Sequence, residues 1–203
     1  MQYKLYDYLP SGNGYKVRLT AKYLKIPYHL VEVDILRGAT RTAQFLEKNP
    51  NGRIPLLEIE GRGFLWESHA IIALLAEGSE LLPADPWQRA HVWQWLCFEQ
   101  YNLEPNIATV RFWVSILKKT AAELGERLPE KLAKGYEALA VLEKGLQGKD
   151  FLVADRFTLA DISLYAYTHV APEGGVSLDA YPQIQAWMQR VAAQPRHAPI
   201  TAP

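Results

Sequence analysis

The chain has 203 residues, enough for one large domain or two small ones. Hydrophobic residues make up 49% and charged residues 22%, and Lys+Arg equals Asp+Glu at 22 each. A net charge of zero gives no reason to expect nucleic acid or an acidic membrane surface as a partner. No apolar run approaches the ~18 residues of a membrane span. The start Met1-Gln2-Tyr3-Lys4-Leu5 lacks the basic and apolar segments of a signal peptide, and the one cysteine, Cys97, forbids an intrachain disulfide. A cytoplasmic location is the expectation.

In chain order, residues 1–9 have β character, and Pro10-Ser11-Gly12-Asn13-Gly14 breaks the strand as a loop. Val17, Ala21 and Leu24 then recur at helical spacing, predicting a helix over 15–25 that Ile26-Pro27 ends. Leu30, Val31, Val33 and Ile35 mark a strand over 28–35, and 40–48 reads as a short helix. Leu56–Ile59, a Gly61-Arg62-Gly63 turn and Phe64–Trp66 read as a hairpin, followed by a helix over 68–77. The order βαβ, α, ββα requires a mixed four-stranded sheet, because a βαβ unit is parallel and a hairpin antiparallel.

Residues 79–86 are rich in breakers and read as a linker, separating an α/β domain (1–78) from a second domain (87–203). Helical patterns fill the second: 87–117 with a kink expected at Pro105, then 128–146, 158–171 and 181–193. No strand pattern occurs after residue 86. Thr158-Leu159-Ala160-Asp161 has the form of a capping box, read as the start of a buried helix with no chemistry of its own.

Several residues have both a plain and a functional reading. Pro55 opens a strand, where its missing N–H is tolerated; a cis bond there would turn the Ile54 N–H and C=O outward to pair with another peptide. Ser68 can cap a helix starting at His69; alternatively that helix N-terminus receives a carboxylate while Glu67 pairs an ammonium. Ser11 and Asn13, ahead of the first helix, are ordinary turn residues, or a hydroxyl and an amide aimed at a reacting atom. Arg53 is a solvated loop charge or a grip for a carboxylate. Cys97, among Trp95, Leu96 and Phe98, is expected to be a buried, inert thiol. Tyr101, Arg111, Phe112 and Trp113 are packing residues or the lining of a substrate pocket. The five histidines are scattered with no ligand spacing, so no metal is expected.

These motifs resemble those of the cytosolic glutathione S-transferases. The resemblance rests on Ser11-Gly12-Asn13-Gly14-Tyr15-Lys16-Val17-Arg18, on Asn49-Pro50-Asn51-Gly52-Arg53-Ile54-Pro55, on Glu67-Ser68 before Ala70-Ile71, and on Thr158-Leu159-Ala160-Asp161. It implies a thioredoxin-like domain, an all-α helical domain, a homodimer, and Pro55 as the family's cis proline. It also implies glutathione as co-substrate, with Ile54 offering its backbone to the cysteinyl part, Glu67 and Ser68 holding the γ-glutamyl end, and Arg53 near the glycyl carboxylate. Ser11 is the position that would hydrogen-bond the sulfur, with Asn13 as helper or substitute. The second substrate would be a small electrophile bound between the domains, or a disulfide or peroxide, since Ser-x-Asn also resembles bacterial members with Thr-x-Asn that reduce disulfides. No cysteine occupies the first loop, which disfavours the cysteine-type members. A non-catalytic binding module is the remaining alternative.

The energetics allow a serine in this role. Lowering a thiol pKa by two units from ~8.5 requires ~2.7 kcal/mol. A charge-assisted hydrogen bond supplies ~1.5–3 kcal/mol and a helix N-terminus a further ~0.3–1. The serine stays protonated and donates; the thiolate is the nucleophile.

Overall fold

Alternation builds the first sheet. In β1 (Tyr3–Asp7) Leu5 and Asp7 are buried while Lys4 is exposed and Tyr6 half-buried, the period-two pattern of a strand packed on one face. β1 pairs in parallel with β2 (His29–Glu32) and antiparallel with β3 (Leu56–Ile59), which continues through the hairpin into β4 (Gly63–Trp66). The strand order is therefore β2-β1-β3-β4, the expected mixed four-stranded sheet. The computed structural model describes residues 2–203 and divides into two units. One is the described part of Met1–Ser79 with Pro195–Pro203, and the other is Glu80–Gln194.

In the first unit α1 (Gly12–Tyr23) and α3 (Ser68–Ala76) pack against each other, with α2 (Ala43–Lys48) between β2 and β3 in the chain. Val17, Leu19, Ile71 and Ile72 are buried, as are Leu5, Leu56 and Leu57 of the central strands. Fully burying such a side chain stabilises by ~1.5–3 kcal/mol. A smaller cluster of Val33, Phe45 and Leu56 takes Ile54 against its edge, which anchors the loop entering β3.

Two boundaries differ from expectation. The first helix begins at Gly12, three residues before the periodic apolar pattern, because Ser11 is its cap and the glycines of the first turn carry no apolar signal. Residues 195–203, expected in the helical domain, belong with the first unit. The buried Tyr15 hydroxyl donates to the Ala198 carbonyl at 2.6 Å, and Arg18 Nη2 donates to the Ile200 carbonyl at 2.6 Å.

The second unit is helical, with an isolated β-bridge, Val153–Arg156, in addition. Its first run comprises α4 (Pro86–Phe98), a π-helical stretch Glu99–Ala108 that contains Pro105, α5 (Thr109–Arg111) and a second π-helical stretch Phe112–Ile116. A short α6 (Ala121–Leu124) precedes α7 (Arg127–Gly145), α8 (Leu159–Thr168) and α9 (Pro182–Ala192). Among the described residues no helix is long and apolar enough to cross a membrane. The capping box forms as expected, with Thr158 Oγ1 accepting from the Ala160 N–H at 3.3 Å and Asp161 Oδ2 accepting from the Thr158 N–H at 2.9 Å. Asp161 Oδ1 also accepts from the Leu152 N–H at 3.0 Å and from Trp187 Nε1 at 2.9 Å. Burial pushes this carboxyl up to about 6.

Cys97 departs from expectation: it is exposed. The buried positions of α4 are Val92 and Leu96, four apart, and Cys97 lies one step (~100°) around the helix from that stripe.

Candidate active site

The site is assembled where three segments of the first unit meet. The first is the start of α1. Ser11 caps it in extended backbone, and its Oγ accepts from the Gly14 N–H at 3.2 Å. A hydroxyl that accepts in this way keeps its own proton for a second partner. Asn13 lies inside the first turn, not ahead of the helix. Its Oδ1 accepts from Lys16 Nζ at 2.9 Å and from Ser68 Oγ at 3.2 Å. Gly14 is required by close approach, since a Cβ there would collide with the Asp7 carboxyl group. Asp7 is fully buried beneath it and ion-paired to Arg18; burial outweighs the guanidinium and pushes the carboxyl up to about 7.

The second segment is the loop before β3. Asn49 is buried and organises it: Oδ1 accepts from the Asn51 N–H at 3.0 Å, and Nδ2 donates to the Arg53 carbonyl at 2.8 Å. The Arg53 side chain is left at the exposed rim. The Ile54–Pro55 bond is cis.

The third segment is the start of α3, where the plain reading of Ser68 is overturned. Ser68 is the first helical residue, not the cap; Glu67 holds the cap position with φ +72° and makes no capping side-chain bond. Positive φ is uncommon for a non-glycine residue, and such strain concentrates where function fixes the backbone. The two neighbours differ in burial: Glu67 is exposed, while Ser68 is buried against Asn13. Asn51 Nδ2 donates to Glu67 Oε1 at 3.3 Å, tying the second segment to the third.

Ser11, Asn13, Arg53, Ile54, Pro55, Glu67 and Ser68 thus all lie on these three segments, two of them joined by Ser68–Asn13 and two by Asn51–Glu67. The remaining candidates lie in the helical unit. Tyr101 is 84% exposed and Phe112 is on the surface. Trp113 carries the Arg127 guanidinium 5.5 Å from its ring centroid. Arg111 is buried, and its Nε donates to Glu173 Oε2 at 2.8 Å. Sequence reasoning missed Asn49, Asn51, Lys16 and His69. The first two lie inside the quoted motif, and the Asx-turn habit of asparagine was the available signal. Among the described residues no group of His, Cys, Asp and Glu is gathered to hold a metal ion.

A mixed sheet of this order, a cis proline at the entrance of its third strand and a helix start offering N–H groups beside it define a thioredoxin-like domain, followed in this chain by a helical one. Residues 1–77 match the glutathione S-transferase N-terminal domain and residues 106–195 the glutathione S-transferase C-terminal domain. The chain belongs to the glutathione S-transferase family. It is 33% identical to glutathione S-transferase 3 of Zea mays, over 95% of this chain and 90% of that one. It is 26% identical to a disulfide-bond oxidoreductase of Escherichia coli, over 93% and 89%. The crystal structure of a glutathione S-transferase from Pseudomonas fluorescens superposes with a TM-score of 0.96 at 49% identity, covering 100% of both chains.

Proposed function

We propose that this protein is a glutathione transferase that binds glutathione along the three segments and activates its thiol at the start of α1. Arg53 takes the glycyl carboxylate, the Ile54 backbone pairs with the cysteinyl unit, and Glu67 and Ser68 hold the γ-glutamyl end. Ser11 Oγ–H and the Asn13 amide donate to the sulfur, which is thereby favoured as thiolate. The thiolate attacks an electrophilic carbon of a small substrate: a sulfur–carbon bond forms and a leaving group such as halide departs with the electron pair. Tyr101, Phe112 and Trp113 are the proposed contacts to that electrophile, and the working species is a homodimer in the cytoplasm.

The observation that carries this reading is the Ser68–Asn13 hydrogen bond of 3.2 Å. It sets the thiol-activating loop beside the helix start that would hold the other end of the tripeptide. A structural scaffold has no need of that junction or of the strained Glu67 backbone.

A second reading, glutathione-dependent reduction of a disulfide, is favoured by two observations. Asn13 is built into a polar network in a loop without cysteine, and the chain is similar to a disulfide-bond oxidoreductase of Escherichia coli. Parallel assays of aryl-halide conjugation and of disulfide reduction, both with glutathione, separate the two; conjugation is expected to dominate. Thermal unfolding with millimolar glutathione is expected to shift upward. No shift would return the chain to the class of non-catalytic binding modules.

A further inference from the structure

Lys16 is among the largest fully buried side chains of the protein, in the second turn of α1. Burying an amine is costly unless it is hydrogen-bonded. Its Nζ lies 2.9 Å from Asn13 Oδ1 and 3.4 Å from His69 Nε2. An ammonium has three donors and no acceptor, whereas an asparagine side chain has one accepting end and one donating end. Only the oxygen of Asn13 can therefore face Lys16, and the Ser68 hydroxyl, converging on that same oxygen, donates to it as well. The donating NH2 end is turned the other way. The same logic makes His69 Nε2 an acceptor and leaves the ring proton on Nδ1.

We infer that Lys16 is a positioning residue for thiol activation: by donating to Asn13 Oδ1 it fixes the amide with its NH2 end as the donor to the sulfur of glutathione. Lys16 need not touch the tripeptide. It acts through Asn13, with Ser68 as the second clamp on the amide oxygen. An asparagine released from both clamps rotates, and its two ends exchange; the carbonyl oxygen presented to a thiolate would repel it. This role rests on the glutathione-binding reading above, and the test separates the two.

The measurement is the ultraviolet absorbance of enzyme-bound glutathione thiolate as a function of pH, in the intact protein and in Lys16→Met, Asn13→Ala and the double variant. Methionine keeps the length and loses the donor. The other titratable and charged groups around α1 include His69 and Glu67 at the start of α3, the Asp7–Arg18 pair on the sheet side, His197 beside Tyr15, and Lys22 and Arg196 at its far end. All are present in every variant, so their titrations are common to the curves being compared. Lys16→Met is expected to raise the bound thiol pKa by about one unit, with glutathione affinity changed by less than about twofold. The double variant is expected to be no worse than Asn13→Ala alone, because the two residues act as one device.

An unchanged thiol pKa in a folded Lys16→Met, or effects that simply add in the double variant, would overturn the inference and leave the proposed function standing. Absence of any bound thiolate in the unaltered protein would overturn both. If Lys16→Met does not fold, Ser68→Ala paired with Asn13→Ala repeats the cycle on the second clamp. A smaller rise of the same sign and the same non-additivity support the inference, and additivity overturns it.

Discussion

Several helices of this protein begin at a hydroxyl cap, and two of them, α8 and α1, use it differently. At α8, Thr158 and Asp161 close on each other, and the carboxylate takes two further N–H donors from Leu152 and Trp187. Thr158 and Asp161 are both at 0% exposure. At α1, Ser11 takes the Gly14 N–H but remains half-buried, and the neighbouring Asn13 is held from behind by Lys16 and Ser68. Each hydroxyl thus accepts an N–H of its own first turn, and only α8 adds a reciprocal carboxylate. What separates the structural start of α8 from the proposed chemical start of α1 is whether the polar groups all close on the interior or stay partly open at the surface.

That contrast can be broken by mutation, and the largest effect is expected at the closed end. Asp161→Ala would strip the acceptor from three N–H donors in a buried setting. Each orphaned buried donor costs ~1–3 kcal/mol, so an unfolding free-energy loss of about 4 kcal/mol or more is expected in urea denaturation. Turnover per folded molecule should survive. A variant as stable as the parent would show that Asp161 does not hold the start of α8 together.

Next comes Ser11→Ala. It should lower stability by ~1 kcal/mol as the loss of an N-cap. It should also lower kcat by about 10²-fold with a small change in KM for glutathione, as the loss of a donor to developing charge. Thr158→Ala is the matched control, costing similar stability and no turnover. If Asn13→Ala proves the more damaging change, the amide and not the hydroxyl is the chief donor.

A third test reads the floor beneath α1. Asp7 has a carboxyl raised from 3.8 to about 7 by burial. The folded state then holds this proton more tightly than the unfolded chain does, so the stability it contributes is complete below about pH 4 and is lost as pH rises toward about 7. Asp7→Asn removes that titration. The stability of the parent relative to the variant should therefore fall between about pH 4 and about pH 7, by on the order of 4 kcal/mol. A constant difference across that range would mean that Asp7 titrates as an ordinary carboxyl. The smallest effect is expected from Cys97→Ala, on the exposed side of α4: conjugation activity and Tm should both be unchanged.

The sheet and most helices are legible in the sequence because their signals are local. Alternation in Tyr3–Asp7, the Gly61–Gly63 turn and the Thr158–Asp161 box each act within a few residues. The short helix at Ala121–Leu124 carries the same kind of signal, Thr120-x-x-Glu123, in a stretch too short to show helical periodicity. Other features depend on what folds over a residue from far along the chain. Nothing local in the sequence marks Lys16 for burial, yet in α1, which packs against α3, it is fully buried. Cys97 reads as buried because its neighbours are apolar, yet the stripe through Val92 and Leu96 leaves it outside. The cis proline and the Glu67-Ser68 pair are visible through resemblance; the strained backbone at Glu67 is not.

The segment Pro195–Pro203 sets an order of events in the life of the chain. Tyr15 and Arg18 reach their partners at Ala198 and Ile200 only once those carbonyls exist. On the ribosome they are made after the whole of Glu80–Gln194. The unit that is synthesised first is therefore finished last. Until then α1 lacks the part of its cover that the Ala198 and Ile200 carbonyls supply to Tyr15 and Arg18.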